Sequence, residues 1–175
     1  MKNTLAFLLL LALAPAGQAT EETRYFFGKF YTVFGIVGDV PPGVAPCGDV
    51  DFPPEAGPEC LLVEIEGAGR ASRMGIARLN IQDVLVFNDG PPNVTSNFFV
   101  ITASDGDALF AQYENLPASA DGVIRGPIKI VGGSGRFLNA EGKLRFYAKS
   151  NFGNGTAVVI LRGKLRIKKD DVPTE

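Results

Sequence analysis

Apolar residues alternate with polar ones along most of the chain, in short blocks rich in aromatic and β-branched residues. This period of two is typical of β-strands, because successive side chains on a strand point to opposite faces of the sheet. Gly, Pro, Asn and Asp separate the blocks, as expected of turns. Eight blocks have the length of strands: 24–38, 61–67, 72–87, 95–103, 107–116, 123–131, 142–150 and 156–167.

Most connections between these blocks are short, and two of them, 104–106 and 151–155, have the composition of tight turns. Eight strands joined in this way predict an all-β fold, an eight-stranded antiparallel barrel of the calycin-like kind, because closure removes exposed sheet edges. A two-sheet sandwich remains the alternative. Residues 39–58 form the one long connection and contain six prolines. We interpret this segment as an irregular cap over one barrel end, with a binding lid as the alternative.

The amino terminus has the features of an export signal. Lys2 precedes a ten-residue apolar run at 5–14, Pro15 follows, and Gly17 and Ala19 are the small residues that a signal peptidase reads. The run is too short to cross a hydrocarbon core of ~30 Å. We therefore predict a cleaved signal peptide of bacterial type at 1–19, a single barrel domain at 20–175, and a secreted or periplasmic location.

The chain has two cysteines, Cys47 and Cys60. In an oxidising compartment this pair predicts a disulfide, which would contribute about 3 kcal/mol on the chain-entropy model. Two thiolates without any histidine make a poor zinc site, and the spacing is not that of a Cys-x-x-Cys redox motif.

The absence of histidine also removes the usual general base near neutral pH and every Ser-His or Cys-His nucleophile. Asp83 is the weak catalytic candidate, because it shares strand parity with Leu79 and Ile81 and so has an inward position. We favour a β-bulge that turns Asp83 outward. Glu64 and Glu66 alternate with apolar residues and are interpreted as a solvated strand face.

Charge is distributed unevenly along the chain. Residues 123–169 contain eleven Lys and Arg and one acidic residue, whereas residues 20–122 contain five Lys and Arg and fifteen acidic residues. Strand parity predicts that the basic residues of the last three strands share the outer barrel face. We call this predicted surface the basic wall: Arg125, Lys129, Lys143, Arg145, Lys149, Arg162, Lys164 and Arg166.

The basic wall has three interpretations. We favour a solvated face that keeps the protein soluble and discourages edge pairing. The alternatives are contact with the acidic part of a second subunit and contact with an anionic envelope surface such as lipid headgroups. Nucleic acid is not expected, since aromatic and basic residues do not interleave as base stacking requires.

The first strand is apolar on both faces, which predicts burial on both sides by the long connection or by another subunit. One face carries Phe26, Phe30, Phe34 and Ile36, and the other carries Tyr25, Phe27, Tyr31, Val33 and Val37.

One glycine-rich segment resembles the signature of a known family. The run from Ile130 to Phe137, which contains Gly132, Gly133 and Gly135, and the Gly142 that follows it resemble the signature of allene oxide cyclase and dirigent barrels. The hairpin at 103–109 and the segment 72–77 are similar to secreted bacterial relatives, and the resemblance spans 65–167. It implies an eight-stranded barrel, a trimer, and glycines that serve a structural turn rather than a phosphate loop. It places no catalytic residue.

We expect a barrel interior that binds a small apolar or amphipathic ligand, without defined catalysis, cofactor or metal. The first alternative is a cyclase or isomerase that acts by confining its substrate, as the resemblance implies. The second is a structural envelope protein whose barrel is filled by its own side chains.

Overall fold

Eight long strands, each hydrogen-bonded to its two neighbours, form the regular structure of the described residues, together with one 3-10 turn. The computed structural model describes residues 21–39, 59–87 and 90–168. The strands are β1 (Glu21–Asp39), β2 (Glu59–Ala71), β3 (Gly75–Phe87), β4 (Asn93–Ala103), β5 (Ala108–Pro117), β6 (Val123–Gly133), β7 (Glu141–Asn151) and β8 (Thr156–Lys168).

β1 pairs antiparallel with both β2 and β8, so the sheet closes into a barrel. The β1–β8 register extends from Glu21↔Lys168 to Val33↔Thr156. This continuous pairing confirms the predicted eight-stranded antiparallel barrel and excludes the two-sheet sandwich. No helix in the described ranges is long and apolar enough to span a bilayer.

Two predicted strand boundaries are wrong at the β2–β3 connection. We expected the second strand to end at residue 67, but β2 extends to Ala71. We expected the third strand to begin at residue 72, but residues 72–74 form a turn and β3 begins at Gly75. Arg73 has a φ of 67° in this turn, a left-handed conformation that differs from the regular β conformation. The alternation of residue types at 72–77 does not reveal this reversal, because the turn also buries an apolar residue, Met74.

The predicted signal peptide, Cys47 and the proline-rich residues 40–58 lie outside the described residues. Cys60 lies at the beginning of β2. The Cys47–Cys60 disulfide and the single domain from residue 20 therefore stay predictions.

Side chains fill one end of the barrel completely. This end carries the β2–β3, β4–β5 and β6–β7 connections. The core there consists of inward-facing strand residues and of three residues from the connections, Met74, Phe137 and Ala140. Its fully buried members include Phe26, Phe30, Leu79, Ile101, Leu109, Ile130, Leu144, Leu161 and Leu165.

The glycine signature shapes this closed end. Gly135 has a φ of +58° and begins the 3-10 turn Gly135–Phe137, which places Phe137 in the core. A Cβ on Gly133 would lie 2.5 Å from the carbonyl oxygens of Ala108 and Phe137. These contacts leave no room for a side chain, so the glycines serve close backbone approach.

The outer face of β1 is exposed in the single chain. Tyr25 is 64% exposed and Tyr31 63%, and Phe27, Val33 and Val37 are also exposed. The inward residues Phe26 and Phe30 are buried, as predicted. The expectation that this strand is buried on both sides is therefore not met by the chain alone.

Candidate functional site

The opposite end of the barrel contains a cavity of ≈ 400 Å³. Strand ends from most of the barrel line it, together with residues 118–120 between β5 and β6. The lining is largely aliphatic and aromatic; members from different strands are Phe34, Val63, Leu85, Val94, Ile124, Phe146 and Val159. The inward faces of most strands thus fill the barrel at one end and line a pocket at the other.

Asp83 is the one ionisable side chain among the described residues that line this cavity. It lies on the inner face of β3 and is 1% exposed. Leu79 and Ile81, four and two residues earlier on the same face, are buried core residues. The strand parity of Asp83 therefore predicts its direction correctly.

The β-bulge that we favoured in order to turn Asp83 outward is a wrong interpretation. The β3–β4 register does shift between Gln82 and Asp83, since Gln82 pairs with Phe98 and Asp83 pairs with Ser96. The extra residue, however, belongs to β4 and not to β3. A bulge changes the parity of the strand that carries the inserted residue, so β3 keeps its alternation through Asp83.

The Tyr113 hydroxyl donates a hydrogen bond to the Asp83 carboxylate. Tyr113 projects inward from β5, is almost completely buried, and its hydroxyl lies 2.7 Å from both Oδ1 and Oδ2 of Asp83. Ser96 is fully buried opposite Asp83, where its Oγ donates to the carbonyl oxygen of Gln82 or Phe98 at 3.1 Å. No described buried side-chain polar atom lacks a partner. The acid is therefore held within a satisfied polar cluster.

Burial governs the electrostatics of this cluster. Loss of hydration raises the pKa of Asp83 to about 7, against the opposing effect of the hydrogen bond from Tyr113 and of the nearby Ser96 hydroxyl. Burial and the neighbouring carboxylate raise the pKa of Tyr113 well above its ordinary value. Near neutral pH, Tyr113 is therefore a neutral hydrogen-bond donor, while Asp83 exists in both protonation states.

An aromatic cluster supports the pair from behind. The ring of Tyr113 lies 5.1 Å from that of Phe146 and 6.1 Å from that of Phe99, between ring centroids. Phe99 and Phe146 meet edge to face at 6.2 Å. Phe146 lines the cavity, whereas Tyr113 and Phe99 lie in the core. Such packing fixes the direction of the Tyr113 hydroxyl, because aromatic rings in contact restrict one another's rotation.

The other sequence-predicted residues lie away from the cavity. Glu64 and Glu66 are exposed on β2, as expected of a solvated face. All eight side chains of the basic wall are exposed on the outer faces of β6, β7 and β8, and none lines the cavity.

Sequence reasoning missed Tyr113 and Ser96. The signal for Tyr113 was present, because its parity on the fifth strand matches that of the buried residues Leu109 and Ala111. Ser96 had no such signal, since β4 is irregular where its register shifts against both β3 and β5.

The site provides an apolar chamber, one carboxyl group that titrates near neutral pH and a neutral phenol that fixes it. This is sufficient for hydrogen bonding to a polar group of a ligand and for proton exchange with it. Within the part of the chain that the structure describes, no cluster of three or more His, Cys, Asp or Glu side chains could hold a metal ion.

No protein-family model matches the sequence, and no curated protein matches it. Solved structures are similar in fold. The pterocarpan synthase dirigent protein GePTS1 aligns with a TM-score of 0.57 and 18% identity, over 90% of this chain and 99% of its own. PsPTS1, also a pterocarpan synthase dirigent protein, aligns with a TM-score of 0.56 and 17% identity, over 88% of this chain and 100% of its own. The chain therefore has the dirigent-type barrel fold that its glycine signature predicts.

Proposed function

We propose that the protein binds a small apolar or amphipathic molecule inside the open end of the barrel. The observation that carries the proposal is the cavity of ≈ 400 Å³ with Asp83 as the ionisable group of its described lining. Ligand pockets are commonly ~300–1,000 Å³, mostly apolar, with few polar groups that orient the ligand. The chamber at this end of the barrel has both properties.

Asp83 supplies the selectivity of such a site. With a pKa of about 7, the carboxyl group donates a hydrogen bond when protonated and accepts one when ionised. A hydroxyl or amine on an otherwise apolar ligand therefore finds a partner in either state. A carboxylate ligand does not, because two negative charges in an apolar chamber repel each other strongly.

A cyclase or isomerase that acts by confinement is the second candidate function. The specific observation in its favour is the near-neutral pKa of a buried cavity carboxyl group, since a general acid or base works best close to the operating pH. The two similar structures are both pterocarpan synthase dirigent proteins, which also supports a reaction on a confined substrate. A filled barrel with a purely structural role receives no support from the chamber.

Ligand binding is tested with the protein expressed with its own leader and purified after export. Native mass spectrometry followed by organic extraction identifies any retained molecule, and the apolar fluorophore N-phenyl-1-naphthylamine reports on the empty chamber. We expect fluorescence enhancement that Ala148→Phe abolishes, because Ala148 lines the cavity. Ala68→Phe is the matched control, as Ala68 is exposed on β2 and outside the cavity lining.

Equal fluorophore binding by wild type and Ala148→Phe, with no retained molecule, would contradict an interior ligand site. Asp83→Asn then separates binding from catalysis when the extracted molecule is used as the test compound. A binder keeps its affinity within roughly fivefold, because Asn retains an acceptor for Tyr113. An enzyme loses turnover by about 100-fold or more, because Asn cannot exchange a proton.

A further inference from the structure

The basic wall is organised in rows that run across three strands. Lys129 of β6 pairs directly with Lys143 of β7, which pairs with Lys164 of β8. In the next row on this face, Arg145 pairs with Arg162. Like charges directly opposite each other on a sheet are destabilising. Five cations are therefore held together on one surface at a cost to the fold.

The described structure does not neutralise the centre of the wall. Its edges are paired: Lys149 Nζ lies 2.8 Å from Asp121 Oδ2, and an Arg166 guanidinium nitrogen lies 3.0 Å from Glu141 Oε2. The remaining six wall residues form no ion pair with any described carboxylate: Arg125, Lys129, Lys143, Arg145, Arg162 and Lys164. This central part of the wall carries six positive charges that no described carboxylate compensates.

Exposed aromatic residues border these charges. The rows continue into β1, where Lys164 pairs with Tyr25 and Arg162 pairs with Phe27. On β7, Tyr147 lies opposite Arg125 and is exposed. Surfaces that bind the interface of a bilayer combine Lys and Arg with exposed Tyr and Phe. The aromatic rings enter the headgroup region, and the cations contact the lipid phosphates.

We propose that the basic wall and the adjoining outer face of β1 dock the protein onto an anionic lipid bilayer. A bilayer fits this surface because its anionic headgroups complement the positive charge and its interface accommodates the aromatic rings beside the wall. A soluble polyanion would use the cations but leave Tyr25 and Tyr147 without a role.

The described part of a second copy offers little free negative charge. Among the described side chains, the exposed carboxylates without a basic partner are Glu64, Glu66 and Glu114. Of these three, only Glu64 and Glu66 lie on the same strand face, so two described carboxylates would face the six cations of the wall. The inference is independent of the cavity and of its ligand.

The test is sedimentation of the exported protein with vesicles of phosphatidylcholine alone and of phosphatidylcholine with phosphatidylglycerol. We expect binding to the anionic vesicles only, weakened by salt. Arg145→Gln with Arg162→Gln should weaken it by roughly tenfold or more, as each cation near a charged membrane contributes substantially. Arg70→Gln with Arg78→Gln is the matched control, because both arginines are exposed on β2 and β3 and the charge change is identical.

A second pair of variants distinguishes a membrane from a soluble polyanion. Tyr25→Ser with Tyr147→Ser should weaken vesicle binding and leave binding to heparin unchanged, because only a bilayer provides an interface for the rings. Three results would overturn the proposal: no preference for anionic vesicles, equal loss in the Arg70/Arg78 control, or heparin binding without vesicle binding. An oligomer in native mass spectrometry that the Arg145/Arg162 variant dissociates would also overturn it, in favour of a second copy.

Discussion

The hydroxyl of Tyr113 lies 2.7 Å from both carboxylate oxygens of Asp83, at the boundary between the filled and the open half of the barrel. The two residues are on β5 and β3, on either side of β4, and both point inward. This hydrogen bond allows a carboxyl group to exist at an apolar chamber wall without an ion pair, because the ionised acid keeps a donor there.

Stability should fall as pH rises from about 4 to about 7. The folded-state pKa of Asp83 is about 7, above its ordinary value near 3.8, so the folded state retains a proton that the unfolded state has lost. The stabilisation is fully present below the unfolded pKa and is lost as pH rises through the folded pKa. It amounts to about 4 kcal/mol. Urea unfolding at several pH values measures it.

Asp83→Asn removes this titration. The variant should be nearly independent of pH between 4 and 7 and more stable than wild type at pH 8, where wild type buries a carboxylate. Glu64→Gln, on the exposed face of β2, is the control that should reproduce the wild-type slope. A slope equal to wild type in Asp83→Asn would assign the pH dependence to other groups. The ion pair with Lys149 lowers the pKa of Asp121 to about 2. Asp121 therefore changes stability only below this pH range, and there stability rises with pH instead of falling.

Tyr113→Phe should raise the pKa of Asp83 above 7, because the hydrogen bond from Tyr113 stabilises the ionised form. The variant should also lose about 1–3 kcal/mol of stability at pH 8, where the carboxylate lacks its donor, and less at pH 5. Titration of the Asp83 carboxyl carbon by NMR gives the pKa directly. A lower pKa in the variant would show that the hydroxyl does not stabilise the carboxylate.

Phe99→Ala should cost about 3–5 kcal/mol in unfolding free energy, because it opens a cavity behind the Tyr113 ring. Phe99 is 1% exposed and contacts both Tyr113 and Phe146 edge to face. The adjacent Phe98 points outward and is 52% exposed, so Phe98→Ala should cost less than about 1 kcal/mol. Similar losses for both variants in denaturant unfolding would mean that the inward and outward faces of β4 are assigned incorrectly.

Gly133→Ala should destabilise the barrel by about 1–3 kcal/mol, because the added methyl group meets two backbone carbonyl oxygens that cannot move independently. Gly35→Ala is the matched control on another strand, since a Cβ there has no neighbour within 4 Å. The control should be neutral or slightly stabilising, as alanine lowers the entropy of the unfolded chain. Thermal unfolding of both variants measures the difference, and equal Tm values would reject a close-approach role for Gly133.

The architecture and the direction of most side chains follow from the local pattern of residues along the chain. Its period of two separates the buried face of β7, Leu144 and Phe146, from the exposed face, Arg145 and Tyr147. The turn residues also placed the eight strands within a few positions of their ends, apart from the reversal at residues 72–74. These features are local, because alternation and turn chemistry follow from backbone geometry over a few residues.

The surroundings of each inward residue, in contrast, depend on how the strands are arranged around the barrel. A bulge reverses the direction of the Asp83 side chain only if the extra residue lies on β3. The extra residue lies on β4, the strand paired with it. The partnership with Tyr113 depends on β5 lying two strands away around the barrel. The division into a filled end and a chamber depends on how side chains from all strands meet across the interior. Each is a non-local relationship between residues distant in sequence, whereas a periodic pattern specifies a face and not the neighbours that this face meets.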